Sequence, residues 1–410
     1  MADEQIWMRH WLAGSEQQIE FRSLKAEELL PLPQSDCDVI LYPARMIGEL
    51  TERGWIVKLP DSVDLADGLE TSDSQTAPAP LAWRQQTTYA GQTMGIALGC
   101  SLSVFIASNE FPAADNMRDW GILLKALQLA ENDSPKFSIA EQQVDREALV
   151  DRFLAIAATL SNRDPSYGLL FDLQSMRSRL PDENFVRCAR ILAALASQPD
   201  GLAAVVGDHS VTWNWIANNP RAALAVATPA LLDTQANTVA NGQIVRVGTS
   251  TPTLADNSSA DAEVIVERPR VMAWNSGAGL VASLSSQCRQ SNQAVSLLRW
   301  LSQPSTRSVL TKFTVGIESP TPIASAESLA WKARQSLSEV VTSAGVAQEP
   351  RLPLANAYRQ ALADALLDFL TGKTNAGQAM RSADQSWQVI TDKAGQSQRS
   401  NYEKSLGLTL

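Results

Sequence analysis

Histidine is scarce in this sequence. The 410 residues include two histidines, His10 and His209, and neither has a partner at catalytic spacing. The chain has four cysteines, Cys37, Cys100, Cys188 and Cys288. They form no C-x-x-C pair and no zinc-ligand spacing with the histidines, which argues against the common zinc motifs. We therefore expect neither a metal site nor a cofactor.

The pairing of the cysteines stays open at the level of sequence. Four cysteines permit three pairings, and their spacing does not choose among them. Cys188 shares an apolar helical face with Phe185, Leu192 and Leu195. This pattern predicts a buried, free thiol at Cys188.

Positive charge is in deficit, with 34 Lys+Arg against 44 Asp+Glu and a net charge of −10. No basic block and no basic-aromatic alternation occurs, so we expect no nucleic-acid partner and no binding to an anionic membrane surface. No apolar run approaches the roughly 18 residues of a membrane span. The first residues, Ala2 to Gln5, are acidic and polar, so no signal peptide is visible.

Signatures of common enzymes are also missing. The sequence contains neither G-x-S-x-G nor H-E-x-x-H. Gly372-Lys373-Thr374 is similar to the end of a phosphate loop, but Leu367 stands where its first glycine is required. Gly277-Ala278-Gly279 lacks the third glycine of a dinucleotide fingerprint. We expect a protein that is not an enzyme.

Apolar residues, 45% of the chain, follow helix and strand periods. A chain of this length normally exceeds one core, so we expect two compact units. The strand candidates are 18–24, 36–43, 89–99, 103–107, 167–172, 244–247 and 280–284. The helix candidates are 4–14, 44–53, 115–127, 149–160, 185–195, 294–301, 304–310, 327–341 and two closing helices around 358–369 and 379–390. Residues 61–82 are polar and predict a surface loop.

Two segments near the start resemble the extracellular solute-binding proteins, the ligand receptors of ABC importers, a family that includes maltose-binding protein. One is Asp36-Cys37-Asp38-Val39-Ile40-Leu41-Tyr42-Pro43, followed by a helix and by Gly54-Trp55-Ile56-Val57. The other, Tyr89 to Gly99, is similar to the family's Y-x-G-x-x-x-G-I-P-L-G strand, with Ala97 in place of proline.

Two later segments extend the resemblance. Residues 212–229 are similar to a helix and strand that lead back to the cleft floor. Residues 271–310 join an apolar run, the turn Trp274-Asn275-Ser276-Gly277-Ala278-Gly279, a strand, and a helix with Trp300-Leu301 near its end. In the family this segment returns from the second lobe to the first.

The resemblance implies an α/β, two-lobed periplasmic-binding-protein-like fold (type II), with a hinge and a ligand cleft between the lobes. It assigns residues 1–108 and 272–315 to lobe 1, and residues 109–271 and 316–410 to lobe 2. It places the strands at 36–43, 94–99 and 103–107 in one sheet with the return strand. The family begins with a strand before its first helix, and none is found here, so the start lies upstream of Met1 or that strand has been lost.

The resemblance also implies where a ligand would bind, because binding loops follow strand ends. Eleven tryptophans are many for this length, and sugars stack on indole rings. We predict that Trp274 forms an aromatic wall of the cleft; the competing interpretation is that it packs inside a lobe. Trp213 and Trp215 precede a helix, and at most one of them should line a pocket. The implied ligand-binding residues are Tyr42, Pro43, Arg45, Gly99, Ser101, Trp213, Thr228, Trp274, Asn275 and Ser276.

The function implied by the resemblance is that of a substrate-binding receptor of an ABC importer, which captures a small solute, expected to be a carbohydrate, by hinge closure. Its partners would be the solute and ABC permease subunits in the membrane, and it would act as a monomer, periplasmic or membrane-anchored outside the cytoplasm. The alternative is a solute-binding-like protein that has lost transport and serves as a sensor or protein-interaction subunit. The missing first strand and the absence of a visible signal peptide make that alternative credible.

Overall fold

The computed structural model describes residues 8–9, 11–12, 18–22, 37–60, 81–108, 111, 120–160, 168–219, 223–228, 242–245, 273–310 and 346–408. The strands are β1 (Val39–Pro43), β2 (Thr88–Tyr89), β3 (Gln92–Thr93), β4 (Ile96–Ala97), β5 (Val104–Ser108), β6 (Leu224–Ala227), β7 (Gly242–Val245), β8 (Ala273–Asn275), β9 (Leu280–Leu284) and β10 (Val346–Gln348). The α-helices are α1 (Ile47–Glu52), α2 (Leu81–Thr87), α3 (Trp120–Ala126), α4 (Arg146–Leu160), α5 (Glu183–Ala196), α6 (Gly201–Val206), α7 (His209–Asn218), α8 (Ser291–Ser302), α9 (Pro304–Leu310), α10 (Ala355–Leu370), α11 (Ala376–Ala394) and α12 (Ser397–Ser405). Short 3-10 turns span Ala44–Met46 and Glu141–Gln143.

The return strand β9 is the centre of a three-stranded antiparallel sheet. β1 pairs with it so that Val39 lies opposite Leu284, and β4 pairs with it so that Ile96 lies opposite Ala282. Helix α8 covers this sheet with a buried face that includes Leu298. The expectation that β1, β4 and the return strand share one sheet is confirmed.

A second antiparallel sheet has the order β6-β5-β7. The expectation that residues 103–107 join the sheet of the return strand is wrong, because β5 pairs with β6 and β7 instead. Both faces of β5 are apolar, so the strand fits any buried sheet and its packing contacts decide its neighbours. Phe105 packs against Trp120, with ring centroids 5.6 Å apart, while Ile106 lies in a separate cluster with Trp213.

Between these sheets, β8 and β10 form a parallel pair in which Ala347 lies opposite Trp274 and Gln348 opposite Asn275. The sequence did not predict β10, since three residues are too few to show a period. Residues 101–103 join this pair: Leu102 forms an isolated bridge with Asn275, and the Ser103 N–H donates to the Trp274 C=O (3.0 Å).

The largest core lies among helices α4, α5, α10 and α11. Their apolar faces match the predicted positions: Leu149, Phe153 and Ile156 on α4, Phe185 to Leu195 on α5, Leu362, Leu366 and Phe369 on α10, and Ala379, Ala383 and Trp387 on α11. Phe171 stacks on Trp387, with ring centroids 5.0 Å apart. Cys188 is fully buried with a free thiol, which confirms the sequence prediction.

Several sequence predictions differ from the structure. Residues 18–22 have no strand, and Phe171 makes only an isolated bridge with Ser178. The segment 89–99 is not one strand, because Ala90 and Gly91 have positive φ and turn β2 back onto β3. Trp213 and Trp215 lie inside helix α7 rather than before it. The predictions for residues 4–7, 13–14, 23–24, 61–80, 115–119, 161–167, 246–247 and 327–341 lie outside the described residues.

The β4–β9 pairing yields a stability prediction. A β-carbon at Gly95 would lie 2.6 Å from Val281 Cγ1 and 2.7 Å from the Ala282 oxygen, so G95A should cost about 1 to 3 kcal/mol of unfolding free energy. In helix α11, a β-carbon at Gly377 meets nothing closer than 3.5 Å, so G377A should be neutral or stabilise by up to about 1 kcal/mol. Urea unfolding of both variants checks this. Equal midpoints for the two variants would contradict the close packing at β9.

Candidate functional site

The turn from Trp274 to Gly279 joins β8 to β9 and is enclosed by two other parts of the chain. The Ser276 N–H donates to the Ser101 C=O (3.0 Å), and the Ser276 hydroxyl donates to the same oxygen (3.4 Å). The Arg45 N–H donates to the Gly277 C=O (2.9 Å), and the Ala44 N–H donates to the Gly279 C=O (2.9 Å). The structure therefore brings together the predicted residues Arg45, Gly99, Ser101, Trp274, Asn275 and Ser276.

Glycine is required in this turn because other backbone approaches it. Gly277 has a φ of +63°, and a β-carbon there would lie 2.9 Å from the Arg45 β-carbon. A β-carbon at Gly279 would meet the backbone of Gly99 and Cys100. These contacts hold residues 44–45 and 99–101 against the turn.

Asn275 is the centre of a buried cluster of amide side chains. Its Nδ2 donates to Gln86 Oε1 (3.2 Å) and to Gln348 Oε1 (2.9 Å), and its Oδ1 accepts from the Gly277 N–H (3.2 Å). Gln86 Nε2 in turn donates to the Gly99 C=O. The hydrogen-bonding capacity of Asn275 is thus directed into the protein, which differs from the ligand contact predicted for it.

Trp274 has 0% of its surface exposed and belongs to the core formed with α4 and α10. Of the two expectations for this side chain, burial favours packing inside the protein, and an open aromatic wall does not fit this conformation. The indole N–H has no hydrogen-bond partner within the described residues. Helix α4 packs against β8, and the role of Trp274 in ligand binding stays a prediction.

Tyr42, another predicted ligand-binding residue, is also buried, so its side chain does not line an open cleft in this conformation. Its hydroxyl shares a hydrogen bond with Ser283 Oγ (2.7 Å), across the β1–β9 pair. Burial raises the pKa of Tyr42, so the phenol stays protonated. Pro43, the last residue of β1, is half-buried.

Trp213 and Thr228 form a second, separate contact. Asp208 caps helix α7 by accepting from the Val211 N–H, and this start places Trp213 on the buried face. The Trp213 indole N–H donates to the Thr228 C=O (3.0 Å), and the Thr228 N–H donates to His209 Nδ1 (3.2 Å). Trp213 packs with Cys100 rather than with Trp274, so the structure does not place these two tryptophans in one cluster.

Arg45 is the predicted residue whose side chain reaches toward solvent-exposed groups. Its Nε donates to Asn356 Oδ1 (3.1 Å), and its Nη2 lies 3.5 Å from a carboxylate oxygen of Glu147. Asn356 is exposed, and 51% of the Glu147 side chain is exposed. The Arg45 side chain itself is only 14% exposed, so it supplies a largely covered donor beside two exposed acceptors.

Next to this patch, Arg359 of helix α10 contacts three carboxylates that sequence reasoning missed. Its guanidinium lies 2.6 Å from Glu147, 2.7 Å from Asp151 and 2.6 Å from Glu349. The Glu349 N–H donates to the Asn275 C=O (3.1 Å). Glu147 and Asp151 are one turn apart on α4, a spacing that puts two carboxylates on one face, but nothing in the sequence indicated Arg359 as their partner.

The two buried carboxylates of this cluster have opposite pKa shifts. Burial raises the pKa of Glu349 to about 7, despite the neighbouring Arg359 and Arg45. Burial also acts to raise the pKa of Asp151, but Arg359 and His209 outweigh it and the pKa is lowered. Asp151 is therefore the ionised partner of Arg359, and Glu349 is the group that titrates near neutral pH.

The described residues contain no group of three or more His, Cys, Asp or Glu side chains placed to hold a metal ion. Within the same part of the chain, no helix is both long and apolar enough to cross a membrane.

The chain has the two-lobed α/β fold of the extracellular solute-binding proteins. With a TM-score of 0.59 and 11% identity, over 96% of both chains, it is similar to an extracellular solute-binding protein from Staphylococcus aureus in complex with maltose. It is similar to maltose-bound MalE3 of T. maritima, with a TM-score of 0.56 and 14% identity over 87% of this chain and 85% of that one. It is also similar to the sugar-binding protein MalE of Xanthomonas citri, with a TM-score of 0.59 and 11% identity over 87% and 84%. The sequence matches no family model and no curated protein.

The burial of Trp274 gives a test of its role. W274A should open a cavity and cost about 3 to 5 kcal/mol of unfolding free energy. W215A should cost less, because Trp215 is only partly buried. Urea unfolding of both variants measures the difference. If W274A instead kept near-wild-type stability and no longer bound sugar, the result would support Trp274 as an aromatic wall of the cleft.

The pKa of Glu349 predicts a pH dependence of stability. A carboxyl whose folded pKa is raised contributes stability that is fully present below its unfolded pKa, 4.5, and lost as pH rises through about 7. E349Q should remove up to about 3 kcal/mol of the fall in unfolding free energy between pH 5 and pH 8. E147Q is the control, because this carboxylate contacts the same arginine but is half exposed. Urea unfolding at pH 5 and pH 8 measures this difference. If the unfolding free energy fell equally in E349Q and in wild type, the raised pKa of Glu349 would be refuted.

Proposed function

We propose that this protein is the substrate-binding receptor of an ABC importer and captures a carbohydrate between its two lobes. The observation that supports this most is the fold likeness, over 87–96% of the chain, to three proteins whose names state binding of maltose or sugar. We propose that it acts outside the cytoplasm as a monomer, delivers its solute to membrane permease subunits and performs no catalysis.

Three short segments would form the hinge. Residues 99–103, 274–279 and 346–349 are hydrogen-bonded to one another through Ser101, Ser103, Asn275 and Glu349. One lobe would contain the β1-β9-β4 sheet with α8, and the other the β6-β5-β7 sheet with α4, α5 and the closing helices. This division keeps the ranges expected from sequence, except that β5 moves from lobe 1 to lobe 2.

The solute contacts would come from side chains that lie beside the turn at residues 274–279 rather than from the buried turn itself. Trp274, Asn275 and Tyr42 are buried. Glu147 and Asn356 are exposed, and Arg45, whose side chain is 14% exposed, contacts both of them. We propose that these three side chains hydrogen-bond solute hydroxyls. Because Arg45 and Glu147 belong to different proposed lobes and already lie 3.5 Å apart, a solute that hydrogen-bonds both would bridge the two lobes.

A thermal-shift panel tests the proposal. Maltose, maltotriose, other sugars, polyols and amino acids are added to the full chain, and a ligand at a hundred times its Kd adds about 2.7 kcal/mol of stability. We expect at least one sugar to raise the melting temperature. R45A should weaken that sugar's binding by about tenfold or more, through loss of charged hydrogen bonds.

R53A is the matched control for R45A. Arg53 lies close by in sequence but pairs with Glu49 of its own helix (2.7 Å), so its loss should leave affinity unchanged. If no solute raises the melting temperature, the receptor proposal fails. The alternative, a transport-inactive sensor or protein-interaction subunit, would then be favoured, because the polar groups of the turn already bond within the protein.

A further inference from the structure

Cys37 and Cys288 lie at the same end of the β1–β9 pair. Cys37 comes just before β1, and Cys288 comes just after β9. The two strands are antiparallel, with Val39 opposite Leu284, so the start of β1 and the end of β9 are neighbours.

Asp38 binds the chain after β9 onto the residue next to Cys37. The Asp38 C=O accepts from the Ser285 N–H (3.0 Å). Its carboxylate accepts from the N–H groups of Arg289 (2.8 Å) and Gln290 (3.1 Å). The position of the turn containing Cys288 is therefore fixed relative to Cys37.

Both cysteines contact Ser285. Cys37 Sγ lies 3.8 Å from Ser285 Oγ, and the Cys288 N–H donates to the Ser285 C=O (3.1 Å). The pKa of Cys288 is raised, first by burial, then by a hydrogen bond to Asp38, and also by the charge of Cys37. Ser285 therefore links the two cysteines, with Cys37 at its hydroxyl and Cys288 at its carbonyl.

The thiols of Cys37 and Cys288 are more accessible to solvent than those of Cys100 and Cys188. Cys37 and Cys288 are half-buried, whereas Cys100 and Cys188 are buried. A small oxidant in solution can therefore reach the first pair without unfolding of the protein.

We propose that Cys37 and Cys288 are a redox pair that forms a disulfide on exposure to a small-molecule or protein disulfide. The Cys37 thiolate attacks one sulfur of the oxidant, forms a mixed disulfide and releases one thiol. Cys288 then loses its proton, its thiolate attacks the Cys37 sulfur, and the second thiol leaves. In sum, two protein thiols are oxidised to one disulfide and the oxidant is reduced to two thiols.

The bond would join β1 and β9 covalently at one end of their ladder. It would close a long loop, from Cys37 to Cys288, and so restrict the unfolded chain. The proposal does not depend on which solute the protein binds.

The test incubates the folded full chain with oxidised glutathione, blocks remaining thiols and counts them after denaturation. We expect two of the four thiols to be lost and the intact mass to fall by two hydrogen atoms. A digest without reductant should yield one cross-linked peptide that contains Cys37 and Cys288. The oxidised protein should also melt at a higher temperature than the reduced protein.

C37S should abolish the cross-linked peptide and leave Cys288 free or bound to glutathione, whereas C100A should retain the cross-link. Circular dichroism confirms that both variants are folded. Four thiols that remain free, glutathione adducts on Cys37 and Cys288 with no cross-link, or a cross-link through Cys100 or Cys188 would each overturn the proposal.

Discussion

The buried contact of Arg359 with ionised Asp151 and with Glu349 is the interaction on which the centre of this structure depends. It joins helix α10 to helix α4 and to the strand pair β8–β10, and Glu349 extends it to the backbone of Asn275. Removing Asp151 would leave the Arg359 guanidinium buried with its main counter-charge lost, and removing Arg359 would do the same to Asp151. Breaking such a buried pair costs about 3 to 5 kcal/mol. The position of the turn at residues 274–279 is therefore fixed by this charged contact as well as by apolar packing.

Much of the fold could be predicted from sequence because its elements are long or strongly patterned. Helices α4, α5, α10 and α11 show apolar residues three and four apart, and β1 and β9 are apolar runs between turn residues. The pairing of β5 could not be predicted in this way. Phe105 and Ile106 are apolar on both faces, and such a strand fits any buried sheet, so only tertiary contacts decide its neighbours.

The site was harder to predict than the fold. The resemblance to the solute-binding family placed Arg45, Ser101 and Ser276 near one turn, and they do meet there. It could not show that Trp274 and Asn275 face inward, because a turn residue's exposure depends on the helix or strand that covers it. It also missed Arg359 and Glu349, since residues 151, 349 and 359 become neighbours only through the packing of α10 on α4.

Small-angle X-ray scattering of the full chain, with and without a sugar that raises its melting temperature, tests the central claim most directly. The claim is that a carbohydrate binds between two lobes and that the hinge closes around it. The account predicts a smaller radius of gyration in the presence of saturating sugar, and no change with a sugar that does not bind. An identical scattering profile with and without a saturating sugar would contradict it.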